Sequence, residues 1–98
     1  MNIEIIIRPE AESDLADAHK WYEERSEGLG SDFLRSIEAT IAFIKRYPKM
    51  YPKVYKNVRR ALIRRFPYGI FYIISQKIVV IAVLHARRDP KILKERIT

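Results

Sequence analysis

Apolar residues recur every three or four positions through the first half of this chain and then give way to nearly unbroken apolar runs, and this change of period limits the fold more than any single residue does. Ala11, Leu15, Ala18 and Tyr22 trace one helical stripe, widened by Trp21; Phe33 or Leu34, Ile37, Ile41 and Ile44 trace a second. Pro9 suits the first turn of the first helix, and Glu10, Glu12 and Asp14 lie where a helix dipole favours acids. Gly28 and Gly30 allow a tight turn between the helices, Ser31 is placed to cap the second, and Pro48 follows its end. Ahead of both, Asn2 to Ile7 is short, β-branched and stopped by Pro9, as a strand would be.

Tyr47 to Asn57 holds two prolines and three tyrosines without a period and reads as a connecting loop. Three strand-like runs follow, Arg59 to Phe66, Tyr68 to Ser75 and Ile78 to Leu84, the last two joined by a turn at Ser75, Gln76 and Lys77. The last two runs are apolar at almost every position, which calls for cover on both faces; in the first, Arg60, Leu62 and Arg64 alternate with Ala61, Ile63 and Arg65, so it is partly exposed. Asp89 and Pro90 are placed to start a short last helix carrying Ile92, Leu93 and Ile97. The expected architecture is α+β in the order β-α-α-β-β-β, a helical hairpin packed on a mainly antiparallel four-stranded sheet, in one domain over residues 1–98.

Composition narrows the function. The chain has no cysteine and two histidines far apart, so it offers no disulfide and no thiolate metal site; no cofactor is expected, and a reducing cytoplasm suits it. No signal peptide or membrane span is visible, and no membrane partner is expected. The net charge of +7 is unevenly spread: residues 1–50 carry 7 Lys and Arg against 10 Asp and Glu, whereas residues 51–98 carry 12 against 2. Such a basic half attracts nucleic acid, a nucleic-acid-bound enzyme or an acidic protein segment.

The run R-P-E-A-E-x-D-L-x-x-A-x-x-W-Y-E-E at Arg8 to Glu24, G-L-G at Gly28 to Gly30, R-R-A-L-I-R-R-F-P-Y at Arg59 to Tyr68 and V-L-H-A-R-R-D-P at Val83 to Pro90 together resemble the ParE side of the RelE/ParE toxins, and the likeness spans nearly the whole chain. It implies the toxin of a type II toxin–antitoxin pair, wrapped by the C-terminal part of its antitoxin in a hetero-oligomer. ParE-like members poison DNA gyrase, as in plasmid stabilisation; RelE-like members cut messenger RNA on the ribosome. A third reading is a partner-binding module of the same fold without toxicity.

For cleavage, Arg60 and Arg87 fall where RelE-like members carry catalytic basic residues, and Arg64 and His85 are further candidates, with Tyr68 and Tyr72 as possible substitutes. Against it, Leu62, Gly69 and Leu93 stand where active nucleases carry a lysine, an arginine and a tyrosine. The residues expected to bind a partner or target are Arg59, Arg60, Arg64, Arg65, Arg87 and Arg88, and the expected antitoxin segment is acidic and amphipathic. The bland alternatives are a charged strand that resists edge pairing and, for Arg87 and Arg88, a salt bridge to Asp89 or to the helical hairpin. His19 reads as a solvated surface residue; Trp21, Tyr22, Phe66, Phe71 and Tyr72 read as core rather than as platforms for bases.

Overall fold

The computed structural model describes residues 3–88 and 90–97. The chain runs β1 (Ile5–Ile7), α1 (Pro9–Arg25), α2 (Leu29–Arg46), β2 (Lys53–Tyr55), β3 (Val58–Leu62), β4 (Tyr68–Ile74), β5 (Ile78–His85) and α3 (Lys91–Arg96). The strands form one sheet in the order β1-β5-β4-β3-β2, with β1 parallel to β5 and the other neighbours antiparallel. The expected α+β class and helical hairpin are present, but the sheet has five strands rather than four. The extra one is β2, inside the segment read as a loop: Lys53 and Tyr55 pair with β3 through a register shift, and Lys56 turns the chain with a φ of 48°. The other departure is β3, which ends at Leu62 rather than Phe66. Arg65 adopts a φ of 72° and Pro67 has no N–H to give, so the chain bends there while Ile63 and Phe66 still reach the core.

The sheet is covered on both faces. The hairpin side buries Ala11, Ala18 and Tyr22 of α1 and Phe33, Ile37 and Ile44 of α2 against Ala61, Ile70, Tyr72, Val80 and Val83. On the other side α3 lays Leu93 over Val58, Phe71, Ile81, Ala82 and Leu84. Phe71 and Tyr72 therefore face opposite cores, which accounts for the unbroken apolar run of β4. Phe71 pairs with Ala82 but Tyr72 with Val80, so Ile81 is an extra residue in β5, and Ile81 and Ala82 both enter the α3-side core.

Two polar devices hold the layers. β1 ends when the Arg8 N–H donates to the Val80 carbonyl, because Pro9 can add no further rung and starts α1 instead. Beyond it the edge of β5 is closed by side chains. The Val83 N–H donates to Asp14 Oδ2 at 2.9 Å, and Arg96 donates to the Ile81 carbonyl at 2.9 Å and to both Asp14 oxygens at 2.9 and 3.0 Å. The hydrogen bonds to Asp14 raise the affinity of Arg96 for its proton. One ion pair thus ties α1, β5 and α3 together.

At the hairpin turn the expected cap is replaced by another. Ser31 lies inside α2; the N-cap is Gly28, whose φ of 86° suits glycine, and the first amides are satisfied from α1. The Glu23 carboxylate accepts from the Gly28 N–H at 2.9 Å and the Gly30 N–H at 3.0 Å. Gly30 is needed for this closeness: a Cβ there would stand 2.8 Å from the His19 carbonyl oxygen and 2.9 Å from Glu23 Oε1. His19 is accordingly half-buried at the helix contact rather than a solvated surface residue. The Gly28 and Gly30 hydrogen bonds hold the Glu23 carboxyl below its ordinary value of 4.5. A depressed carboxyl stabilises the fold above that ordinary range and loses the contribution as pH falls through the folded value. Glu23→Gln should therefore be less stable at pH 7 and lose less stability than the parent below about pH 4.5 in urea titrations; parallel pH profiles would remove the carboxylate from this role.

The last helix begins after Pro90 and buries Leu93, with Ile92 and Ile97 packed beside it, as the apolar spacing implied. The expected cap at Asp89, and its bridge to Arg87 or Arg88, lie outside the described residues. Among the described residues no helix is long and apolar enough to cross a membrane.

Candidate functional site

The outward face of α2 does not become polar throughout. Phe33, Ile37 and Ile44 turn inward, while Arg35, Ala39 and Phe43, four residues apart, form a second stripe facing away from the core. Phe43 is 54% exposed, and Met50 at 59% and Leu62 at 54% lie near it. Together they line a groove of about 640 Å³ between α2 and the end of β3. Exposed apolar side chains gathered in one concave surface mark an interaction site more than singly scattered ones do.

The rim is basic. Ser36 Oγ donates to the Arg64 carbonyl at 2.7 Å, which pins the β3–β4 bend against α2 and sets Arg64 and Arg65 along the groove opposite Arg35. Asp32 is the acid of this lining, bridged by Arg35 at 2.9 Å and approached by Arg65 at 3.9 Å. Such exposed pairs contribute only about 0–1 kcal/mol, so they are readily exchanged for a partner's carboxylates.

The loop that contributes Met50 and Tyr51 to the groove is held by two side chains outside its lining. Arg59, expected at a binding surface, turns to the hairpin side and donates to the Lys49 and Tyr51 carbonyls at 3.1 and 2.6 Å. Beside it the Tyr72 hydroxyl donates to the Pro48 carbonyl at 2.6 Å. Burial pushes the Tyr72 hydroxyl up to about 12, against the opposing effect of Arg59, so near pH 7 it remains a proton-bearing donor rather than a base. These bonds fix the segment carrying Met50 and Tyr51.

A second, smaller pocket of about 200 Å³ opens on the α3 face, where Arg60 and Arg88 meet Phe71, Leu84, Ile92 and Leu93. Arg60 pairs with Phe71 across the strands, and its stem runs over Gly69, where a Cβ would come within 3.1 Å of Arg60 Cγ. Its Nε is buried and meets no hydrogen-bond acceptor among the described residues. Burying such a donor unmatched costs about 1–3 kcal/mol.

The proposed nuclease set is not brought together. Arg60 lies on the α3 face and Arg64 at the β3–β4 bend. His85 stands edge-on to Tyr68, 5.6 Å between ring centres, and Tyr68 packs on the Tyr22 and Phe33 rings of the hairpin. Arg87 is exposed after β5, its N–H donating to His85 Nδ1 at 3.1 Å. Of the two positions that depart from the nuclease pattern within the sheet, Leu62 and Gly69 face each other across β3 and β4; the third, Leu93, is buried at 3% exposure. Tyr22, Phe66, Phe71 and Tyr72 are core aromatics as expected, but Trp21 lies outside, 47% exposed with the Arg25 guanidinium 3.5 Å over its ring. Sequence reasoning missed Arg35, Phe43 and Met50. The one available signal was an apolar residue, Phe43, off the core stripe of its helix.

The chain's relatives agree with this architecture. The family model described as the ParE toxin of the type II toxin–antitoxin system, parDE, matches residues 5–90. A solved structure described as a chromosomal ParDE TA system from P. aeruginosa contains a chain with a TM-score of 0.63, covering 85% of this chain and 95% of its own length. At 13% identity that likeness speaks for the fold alone. No curated protein gives a significant sequence match. The family match runs from the first strand through the β5–α3 turn, and on that ground the chain belongs to the ParE toxin family of type II toxin–antitoxin systems.

Proposed function

We propose that this chain is a toxin neutralised by an antitoxin whose acidic, amphipathic segment lies in the groove between α2 and β3, and that the released toxin acts on DNA gyrase rather than cutting RNA. The observation that carries the antitoxin reading is the groove itself. Phe43, Met50 and Leu62 offer an apolar floor, and Arg35, Arg64 and Arg65 surround it with positive charge. A helix with apolar residues on one face and carboxylates at its margins satisfies both. The solved relative from P. aeruginosa is described as a ParDE toxin–antitoxin system, which supports an antitoxin as the occupant.

Gyrase is favoured because RNA cleavage needs basic and proton-transferring groups converging within about 3 Å of the reacting atoms. Here Arg60 and His85 belong to opposite faces of the sheet, and Leu93 is committed to the core. Inhibition by binding makes no such demand and uses the basic second half as a contact surface.

Induction of the chain without antitoxin, with DNA and protein synthesis pulse-labelled in the same culture, separates the readings. DNA synthesis should fall first and an SOS response follow. An early fall in translation points instead to the ribonuclease, and unimpaired growth to a module without toxicity.

A further inference from the structure

From residue 39 to residue 88 the chain carries 12 Lys and Arg and no Asp or Glu. Several of these arginines belong to the groove or to the smaller pocket, but Lys45, Arg46, Lys49, Lys53 and Lys56 line neither. They follow one another from the end of α2 to the tip of the β2–β3 hairpin, along the side of the sheet where β2 is the last strand. The bonds of Arg59 and Tyr72 to the Pro48, Lys49 and Tyr51 carbonyls fix the backbone from which the row projects. Arg46, Lys49, Lys53 and Lys56 are exposed and Lys45 partly so, and none of the ion pairs among the described residues involves them. Lys56 stands there against the preference of the backbone. With Asn57 it makes the two-residue turn between Tyr55 and Val58, and its φ of 48° is one that glycine adopts without strain. From this arrangement we infer that the row from Lys45 to Lys56 contacts the phosphate backbone of duplex DNA without reading its sequence.

The chemistry selects this partner. A row of solvated cations on an open surface neutralises successive phosphates and releases their counterions. An amphipathic acidic peptide is held by apolar anchors in a concavity with charge at its margins, which the groove between α2 and β3 supplies instead. A single strand gains from stacking its bases on open aromatic rings. Here the Tyr47 ring has the Arg46 guanidinium 5.6 Å from its centre and the Phe43 ring stacked beside it, 6.5 Å between centres, while the Tyr55 ring has the Lys56 ammonium at 5.6 Å. These rings support cations rather than bases. Lysines act as point charges that position a backbone and carry no base readout. The choice of DNA over duplex RNA rests on the gyrase reading, because an inhibitor of gyrase meets its target on duplex DNA.

The test is the fluorescence anisotropy of a short labelled DNA duplex titrated with the full chain at salt concentrations from about 50 to about 200 mM. Two duplexes of unrelated sequence should bind alike, and log affinity should fall against log salt with a slope of about −4, as for about four to five neutralised phosphates. Lys49→Gln, Lys53→Gln and Lys56→Gln together should make that slope shallower by about 3 and weaken binding at least about tenfold at the lowest salt. A control of equal charge, Lys20→Gln with Lys77→Gln and Lys94→Gln, alters exposed lysines on α1, the β4–β5 turn and α3, and should change affinity by less than about threefold. Lys56→Gly alone should weaken binding about threefold without lowering the unfolding midpoint, because it removes the cation and relieves the backbone. If the triple ridge variant does not fold, Lys56→Gly decides the question. Equal losses in the two triple variants, a midpoint lowered by Lys56→Gly, no binding at the lowest salt, tighter binding of a single strand or an RNA duplex, or displacement of the DNA by an equal concentration of polyglutamate overturns the inference. Its failure while DNA synthesis is still the first process to fall on induction leaves the gyrase reading standing.

Discussion

Asp14→Ala should lower the unfolding midpoint by roughly 10–20 °C, the largest effect expected of any single polar substitution in this chain. Asp14 and Arg96 are 14% and 17% exposed at their side chains, and Asp14 accepts from both the arginine and the Val83 N–H. Removing the carboxylate leaves a mostly buried cation and a backbone donor without their partner. Fully buried pairs lose about 3–5 kcal/mol when one member is removed; the residual solvent contact here reduces that to about 2–3 kcal/mol. The damage also has a location. Past β1 the edge of β5 is closed by this pair, through Val83 and the Ile81 carbonyl, so the variant should expose a strand edge and associate on heating. Arg96→Met should cost less, because Asp14 keeps the Val83 amide and can rehydrate. Calorimetry on the parent, the two variants and the double variant measures the coupling. A midpoint for Asp14→Ala within about 3 °C of the parent would contradict this account of how α1, β5 and α3 are joined.

The ion pair also shows what the sequence could and could not reveal. The helical stripes and the two apolar runs were legible because each follows from burial against a single layer or between two layers, a property written locally in the period. Asp14 was legible only as an acid in a first helical turn; its partner lies 82 positions away and meets it because β1 stops at Pro9. Lys53 to Tyr55 were not legible as a strand, since three mostly exposed residues at a sheet edge carry no alternation and are ordered by β3. Glu23 escaped notice as a cap because it belongs to the preceding helix, and the natural candidate, Ser31, lies three residues past the true N-cap.

The candidate site was half legible for the same reason. The arginines could be counted, but their directions depend on tertiary neighbours. Arg59 is drawn inward by the carbonyls of Lys49 and Tyr51, Arg60 is laid over Gly69 by the strand register, and Arg64 and Arg65 are turned to the groove by the bend before Pro67. The groove itself takes residues from α2, from the following loop and from β3, so no local pattern contains it.

That groove carries the second large effect. Phe43→Glu together with Leu62→Glu should weaken antitoxin binding by at least about 100-fold, since buried apolar anchors at interfaces are each worth about 2 kcal/mol and the new acids oppose an acidic segment. Both side chains are 54% exposed in the free chain, so stability should change by no more than about 0.5 kcal/mol per site. Arg64→Glu together with Arg65→Glu acts differently: charge reversal at a rim slows association and removes much of the salt dependence, with a smaller effect on dissociation.

The decisive measurement is therefore the affinity of the folded parent and these two double variants for the cognate antitoxin, by titration calorimetry at low and high salt. The account predicts a loss of about 100-fold or more for the apolar pair and a salt-dependent loss for the arginine pair, with unfolding midpoints close to the parent's. Unchanged affinity in both double variants, with the fold intact, would contradict it and move the antitoxin to another face of the toxin.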